Sequence, residues 1–138
     1  MKMHRALMIG ILALALVPVG ASAQVCLGGN PAITHVEVQS THTMGQMNVY
    51  HLVGTVRNLG STGQPSNTLQ FVDIYDGADK VDAKTIPPLP LGGTFHFTYN
   101  WNRAVDAGAG STKFIFKIRM VQGTICKPSN GGAYILTF

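Results

Sequence analysis

Short runs in which apolar and polar residues alternate recur through this 138-residue chain from residue 33 onward. Alternation of this kind is typical of β-strands with one buried face, and no segment of that part shows a sustained helical period. Clusters of Gly, Pro, Asn and Ser separate the runs, as turns do. The runs lie at residues 33–40, 48–58, 68–75, 80–86, 94–101, 113–121 and 133–138. Seven strands at this spacing predict an all-β fold, a two-sheet antiparallel sandwich.

The first 23 residues have the pattern of a secretory signal peptide. A positively charged start and an apolar run at residues 6–17 precede the small-residue triplet at residues 21–23. This order predicts cleavage after Ala23, which leaves Gln24 as the mature N-terminus. The apolar run is shorter than the ~20 residues that a membrane-spanning helix needs. We therefore expect an exported protein, periplasmic or extracellular, with one domain at residues 24–138 and no transmembrane segment after signal removal.

Removing the signal peptide lowers the positive charge. Of the ten Lys and Arg residues two lie in the signal peptide, so the mature chain carries eight basic side chains against six acidic ones. The basic residues are scattered along the sequence, whereas proteins that bind DNA or RNA carry a basic stripe. Nucleic acid is therefore not an expected partner.

The two cysteines gain a meaning from export. Cys26 lies near the mature N-terminus and Cys126 lies close to the end of the chain. In an oxidising compartment a single pair of cysteines predicts one disulfide, here between the N-terminal arm and the last hairpin. The alternative is a lipid anchor on Cys26, although Val25 stands where a bacterial lipidation signal has a small residue.

Three segments of the chain resemble the CARDB family of exported bacterial modules. These are VRNLG at residues 56–60, YDG at residues 75–77 and LGGTFHFTYNW at residues 91–101. The resemblance covers roughly residues 33–121. It implies an immunoglobulin-like or fibronectin-III-like sandwich associated with adhesion and extracellular interaction, without shared catalytic residues.

A segment rich in methionine and histidine lies between the first two predicted strands. It contains His42, Met44, Met47 and His51. Imidazole and thioether groups are ligands for copper, which makes this segment a candidate metal site. The alternative is an ordinary hairpin that turns at Gly45, with both methionines filling gaps against the core.

Four aspartates recur at three-residue intervals, Asp73, Asp76, Asp79 and Asp82. Carboxylates gathered in a loop bind calcium, so these residues form a second candidate metal site. The EF-hand order is absent. The alternative is a solvated turn and edge strand whose charges discourage pairing with another sheet.

Aromatic residues alternate along the predicted strand at residues 94–101. Tyr99 and Trp101 are its candidates for stacking on a glycan, and core packing is the alternative because aromatic and aliphatic residues recur in the next strand.

Signatures of catalysis are missing from the sequence. The mature chain has a single glutamate, Glu37, and neither a Gly-x-Ser-x-Gly nor an HExxH motif. We predict no catalytic residue and no cofactor. The expected function is that of a non-enzymatic immunoglobulin-like module that contacts another envelope or extracellular protein, in adhesion, in envelope assembly or as an accessory subunit. The alternative is a ligand-binding protein for copper, calcium or a glycan.

Cleavage after Ala23 is testable on the exported protein. N-terminal sequencing should begin at Gln24, because the small residues at positions 21 and 23 suit signal peptidase. An Ala23→Arg variant should accumulate as the longer precursor. A mature chain that begins at a lipidated Cys26 would contradict both the cut and the disulfide.

Overall fold

The computed structural model describes residues 27–126 and 130–138, which form seven β-strands. The predicted signal peptide, its cleavage site and Cys26 lie outside these residues. The strands are β1 (Pro31–Met44), β2 (Met47–Asn58), β3 (Leu69–Asp76), β4 (Asp79–Ile86), β5 (Thr94–Ala104), β6 (Ser111–Gln122) and β7 (Gly132–Thr137). Within the described residues, no helix is long and apolar enough to cross a membrane.

The strands form two antiparallel sheets. The three-stranded sheet has the order β1-β2-β5, and the four-stranded sheet has the order β4-β3-β6-β7. The predicted all-β fold of two antiparallel sheets with seven strands is confirmed. Each observed strand overlaps the alternating run that predicted it.

The main difference in strand length is at the hairpin that joins β1 and β2. β1 continues to Met44, which pairs with Met47, and Gly45 makes the turn with a φ of 60° that only glycine adopts without strain. Every side chain at residues 39–44 is exposed. The alternating run in the sequence stops at residue 40, before the strand ends, because this last part of β1 has no buried face that requires apolar residues.

The core lies between the sheets and consists of the inward residues of each strand. Those with less than one-tenth exposure include Leu52, Val56, Val72, Ile74, Phe97, Phe114, Phe116, Ile118 and Leu136. Gly54 of β2 lies directly opposite Phe97 of β5 in the three-stranded sheet, and its lack of a side chain leaves room for the ring. A Cβ atom there would lie 2.1 Å from Cζ of Phe97, so the ring occupies the space that a side chain would need. This contact places the Phe97 ring 5.6 Å from that of Phe116 in the other sheet.

A buried amide at the end of β2 joins several segments. Asn58 is 1% exposed, and its Oδ1 accepts hydrogen bonds from the backbone N–H groups of Asn30 and Gly60, each at 2.9 Å. Its Nδ2 donates to the carbonyl oxygens of Thr62, Leu89 and Pro90 at 2.9–3.2 Å. One side chain therefore satisfies buried and part-buried backbone groups from three irregular segments.

Two glutamines extend this polar network to the other sheet. Gln70 of β3 is fully buried, and its amide exchanges hydrogen bonds with that of Gln64 at 2.7 and 2.8 Å. Gln70 also donates to the carbonyl of Pro87, and Gln64 Oε1 accepts from the N–H of Leu89. The network holds the proline-rich segment at residues 87–90, whose prolines have no N–H groups to pair in a sheet.

The start of β1 lies beside the segment that precedes β7. Ile33 donates its N–H to the carbonyl of Asn130 at 3.1 Å, and Asn130 Nδ2 donates to the carbonyl of Pro31 at 2.9 Å and contacts Asn30. Because Cys26 lies outside the described residues, its disulfide with Cys126 stays a prediction. The contacts of Asn130 join two segments that lie about 100 residues apart in the sequence.

Replacement of Asn58 by alanine should strongly destabilise the fold. The change leaves two backbone N–H groups and three carbonyl groups without this partner, so we expect a loss of roughly 2–4 kcal/mol in the free energy of unfolding. Urea unfolding monitored by tryptophan fluorescence measures it. The matched control is Asn102→Ala, at an exposed site on β5, which should change stability by less than about 0.5 kcal/mol. Equal effects of the two substitutions would contradict the role of Asn58.

Candidate functional site

The outer face of the four-stranded sheet combines basic and apolar side chains. β6 alternates strictly, so the residues between its buried Phe114, Phe116 and Ile118 point away from the core. The strand register places residues of β3, β4 and β7 beside them. We call this surface the cationic face and define it by Phe71, Asp73, Tyr75, Lys80, Lys113, Ile115, Lys117, Arg119, Val121 and Ile135.

A buried carboxylate lies at the centre of the cationic face. Asp73 accepts hydrogen bonds from Nε and Nη2 of Arg119 at 2.7 and 3.0 Å, and Lys80 Nζ lies 2.9 Å from its Oδ1. The hydrogen bond from Arg119 lowers the pKa of Asp73, and Lys80 adds to this, while burial opposes it. The same hydrogen bond raises the pKa of Arg119. The side chain of Asp73 is only 6% exposed because these two cations cover it.

Aromatic rings lie beneath two of the cations. The guanidinium carbon of Arg119 is 4.5 Å from the ring centroid of Phe71, and Lys117 Nζ is 4.8 Å from that of Tyr75. Such contacts hold the basic groups over an apolar layer. Two exposed aliphatic side chains lie toward the ends of this face: Val121, two residues after Arg119 on β6, is 56% exposed, and Ile135, opposite Lys113, is 65% exposed.

A groove opens on the cationic face where β7 begins. It has a volume of about 570 Å³, and its lining includes Asp73, Ile115, Lys117, Arg119, Gly131 and Gly132. β7 pairs with β6 only along Ser111–Phe116. Within the described residues, the second half of β6 therefore pairs with β3 alone, and the groove lies at this transition.

The four aspartates predicted as a calcium site have separate partners. Asp73 lies in the cationic face, whereas Asp76 accepts a hydrogen bond from Trp101 Nε1 at 3.0 Å and contacts Thr112. Asp82 pairs with Lys84 and accepts from the N–H of Ala83, and Asp79 is exposed at the start of β4. Across the described part of the chain, no group of three or more His, Cys, Asp or Glu side chains is arranged to hold a metal ion. The calcium interpretation gains no support from this arrangement.

The predicted methionine and histidine ligands lie on the β1–β2 hairpin. Met44 pairs with Met47 across the hairpin, His42 pairs with Val49, and His51 pairs with Ser40. All four predicted residues share the outer face of the three-stranded sheet because they occupy alternate positions of paired strands. The expected turn at Gly45 is present, but Met44 is 63% and Met47 is 38% exposed, so neither fills a gap in the core.

Tyr99 and Trp101, the predicted glycan residues, are half-buried at the edge of the core. The Trp101 ring lies 5.7 Å from that of Phe114 and 5.3 Å from that of Phe138. The Tyr99 ring lies 6.0 Å from Phe114, and burial, with a smaller effect of Asp76, raises the pKa of its hydroxyl. These contacts are those of core packing, the alternative that the sequence also allowed.

The sequence alone did not predict that these residues form one surface, the cationic face. Its signal was present in β6, where Ile115, Lys117, Arg119 and Val121 occupy the outward positions of an alternating run. Its other members come from distant segments, and their proximity depends on the sheet order.

Comparison of the chain with protein-family models, with curated proteins and with solved structures found no match. The comparisons therefore identify no family.

Replacement of Asp73 by asparagine should make the free energy of unfolding less dependent on pH in the acidic range. A carboxylate whose pKa is lower in the folded state stabilises the fold above its unfolded-state pKa, and this contribution disappears as the pH falls through the folded-state pKa. We expect Asp73→Asn to lose about 1–2 kcal/mol near pH 7, a value reduced by the partial exposure of Arg119 and Lys80. The difference from the unaltered protein should shrink below about pH 4.

Urea unfolding across this pH range measures the difference. The matched control is Asp106→Asn in the exposed loop after β5, which should change stability little at any pH. A difference for Asp73→Asn that stays constant from neutral to acidic pH would contradict the ion pairs as its cause.

Proposed function

We propose that the protein is an exported, non-enzymatic immunoglobulin-like module that acts through protein contacts, and that the cationic face is its contact surface. The observation that carries this proposal is the combination on one face of exposed Val121 and Ile135 with basic groups held over aromatic rings. Arginine and aromatic residues are enriched in protein interfaces, and apolar side chains gain free energy when a partner covers them.

The charge of this face indicates the chemistry of the partner. Lys80, Lys113, Lys117 and Arg119 stand against one carboxylate, and that carboxylate already pairs with two of them. The mature chain as a whole has an excess of only two basic residues over acidic ones. Positive charge is therefore concentrated here, which favours a partner surface with acidic and apolar side chains.

The immunoglobulin-like assignment belongs to this proposal and is supported by the division of seven antiparallel strands into sheets of three and four. The CARDB resemblance also supports it, and the structure gives one of its motifs a physical role. In the segment at residues 56–60, Asn58 accepts the N–H of Gly60, and a Cβ atom at Gly60 would lie 1.9 Å from the carbonyl oxygen of Gly28. This motif holds a loop and leaves recognition to other residues.

Site-specific photocrosslinking in the producing cells tests the contact surface. A photoreactive amino acid at Val121 or Ile135 should yield a discrete adduct with an exported protein, because both side chains are exposed on the cationic face. The same probe at Thr98, on the outer face of the other sheet, should yield no such adduct.

Charge reversal then tests the electrostatic part of the contact. Lys113→Glu with Lys117→Glu should lower the adduct yield roughly tenfold, because the reversed charges would repel an acidic partner. Neither lysine pairs with Asp73, so the ion pairs of Asp73 stay in place. Arg57→Glu, on β2 of the other sheet, is the matched control and should leave the yield unchanged. Adducts that form equally at Thr98, or that survive the double reversal, would contradict the cationic face as the contact surface.

A further inference from the structure

The end of the β1–β2 hairpin exposes two thioethers together. Three methionines lie in the described residues, of which Met120 is half-buried on β6 and the other two, Met44 and Met47, are exposed at the hairpin. A large apolar side chain on the surface is common, but two that stand directly opposite each other form a specific arrangement. Burial in the core is how methionine side chains usually stabilise a fold, and neither of these two is buried. Core packing therefore does not explain why methionines occupy these two positions.

The strand register places one imidazole beside this pair. Cβ atoms of directly opposite residues such as Met44 and Met47 are about 4.5–5.5 Å apart, and diagonal neighbours such as His42 and Met47 are about 7–8 Å apart. His42 is two residues before Met44 and shares its face, about 6.7 Å along the strand. Methionine and histidine side chains are long enough to meet over such distances.

His51 lies further from the hairpin end, four residues after Met47 on β2. It is opposite Ser40, so about 13 Å along the strand separate it from Met47. Its Nδ1 lies 2.6 Å from Oδ1 of Asn100 on β5. The structure therefore separates His51 from the two methionines, and Asn100 already contacts its ring nitrogen.

The hairpin is held in shape before any ligand binds. Thr43 donates a hydrogen bond to Asn48 across the two strands at 2.8 Å, and the carbonyl of Gln46 accepts the N–H of Val105 at 2.9 Å. Val49, opposite His42, is only 7% exposed and places an apolar side chain on the same face. A prearranged site has less conformational entropy to lose on binding.

We propose that His42, Met44 and Met47 bind one Cu(I) ion at the end of the hairpin. Thioether and imidazole donors match a soft monovalent ion, whereas calcium and magnesium require oxygen ligands. The paired strands supply no carboxylate at these positions, since residues 42–44 and 47–49 contain neither Asp nor Glu. This inference does not depend on the contact function, because the hairpin and the cationic face belong to different sheets.

Anaerobic titration of the purified exported protein against a chromophoric Cu(I) chelator tests the site. We expect one equivalent of Cu(I) to bind with submicromolar affinity. His42→Ala, Met44→Leu and Met47→Leu should each weaken binding roughly tenfold or more, since the loss of a residue that only orients a metal ligand already costs about 10–100-fold in affinity. Met120→Leu and His51→Ala are the matched controls and should retain the affinity of the unaltered protein. Thermal melting of each variant verifies that the fold is intact, which we expect because the substituted side chains are exposed or half-buried.

A second measurement identifies the ligands directly. In protein labelled with ¹³C at the methionine methyl groups, Cu(I) should shift the NMR signals of Met44 and Met47 and leave that of Met120 in place. The proposal would be overturned by the absence of competition with the chelator, or by binding that survives Met44→Leu combined with Met47→Leu. Binding that depends on Cys126 would place the metal elsewhere and would also overturn it. Equal loss in His51→Ala would return His51 to the ligand set and refute the three-residue site.

Discussion

The buried amide network of Asn58, Gln64 and Gln70 is the constraint on which the arrangement of the two sheets depends. Asn58 belongs to the three-stranded sheet and Gln70 to the four-stranded sheet, and Gln64 lies in the loop between them. Their amides satisfy backbone groups of segments that form no ladder, above all residues 87–90. In a poorly solvated interior each such group would otherwise carry a large desolvation cost. Polar groups thus determine where the irregular segments lie, while apolar contacts determine how the sheets pack.

The pleat of β6 produces both the core and the cationic face. Its inward residues, such as Phe114 and Phe116, pack between the sheets, while its outward residues, such as Lys117 and Arg119, stand over rings of β3. Asp73 shows that neighbouring side chains can determine whether a residue is buried. It points away from the core, yet its carboxylate is buried because two cations cover it.

The two candidate surfaces follow from different physical features. The cationic face requires neighbouring strands of one sheet to align Phe71, Lys117 and Ile135. The methionine pair requires only a two-residue turn, since Gly45 brings Met44 opposite Met47. A change in either surface can therefore leave the other intact.

Alternation and turn residues in the sequence determined the number of strands and their places along the chain, because the burial pattern of a half-buried strand repeats every two residues. They also placed the turn at Gly45, since that position requires a positive φ. Sequence spacing suggested that the four aspartates act together and that His51 joins the methionines, and tertiary structure separated them. Asp73 and Asp76 point to opposite sides of β3, and the register moves His51 away from the hairpin end. Local periodicity reports which face a residue occupies, whereas proximity across strands depends on sheet order and register, which arise only when distant segments pack together.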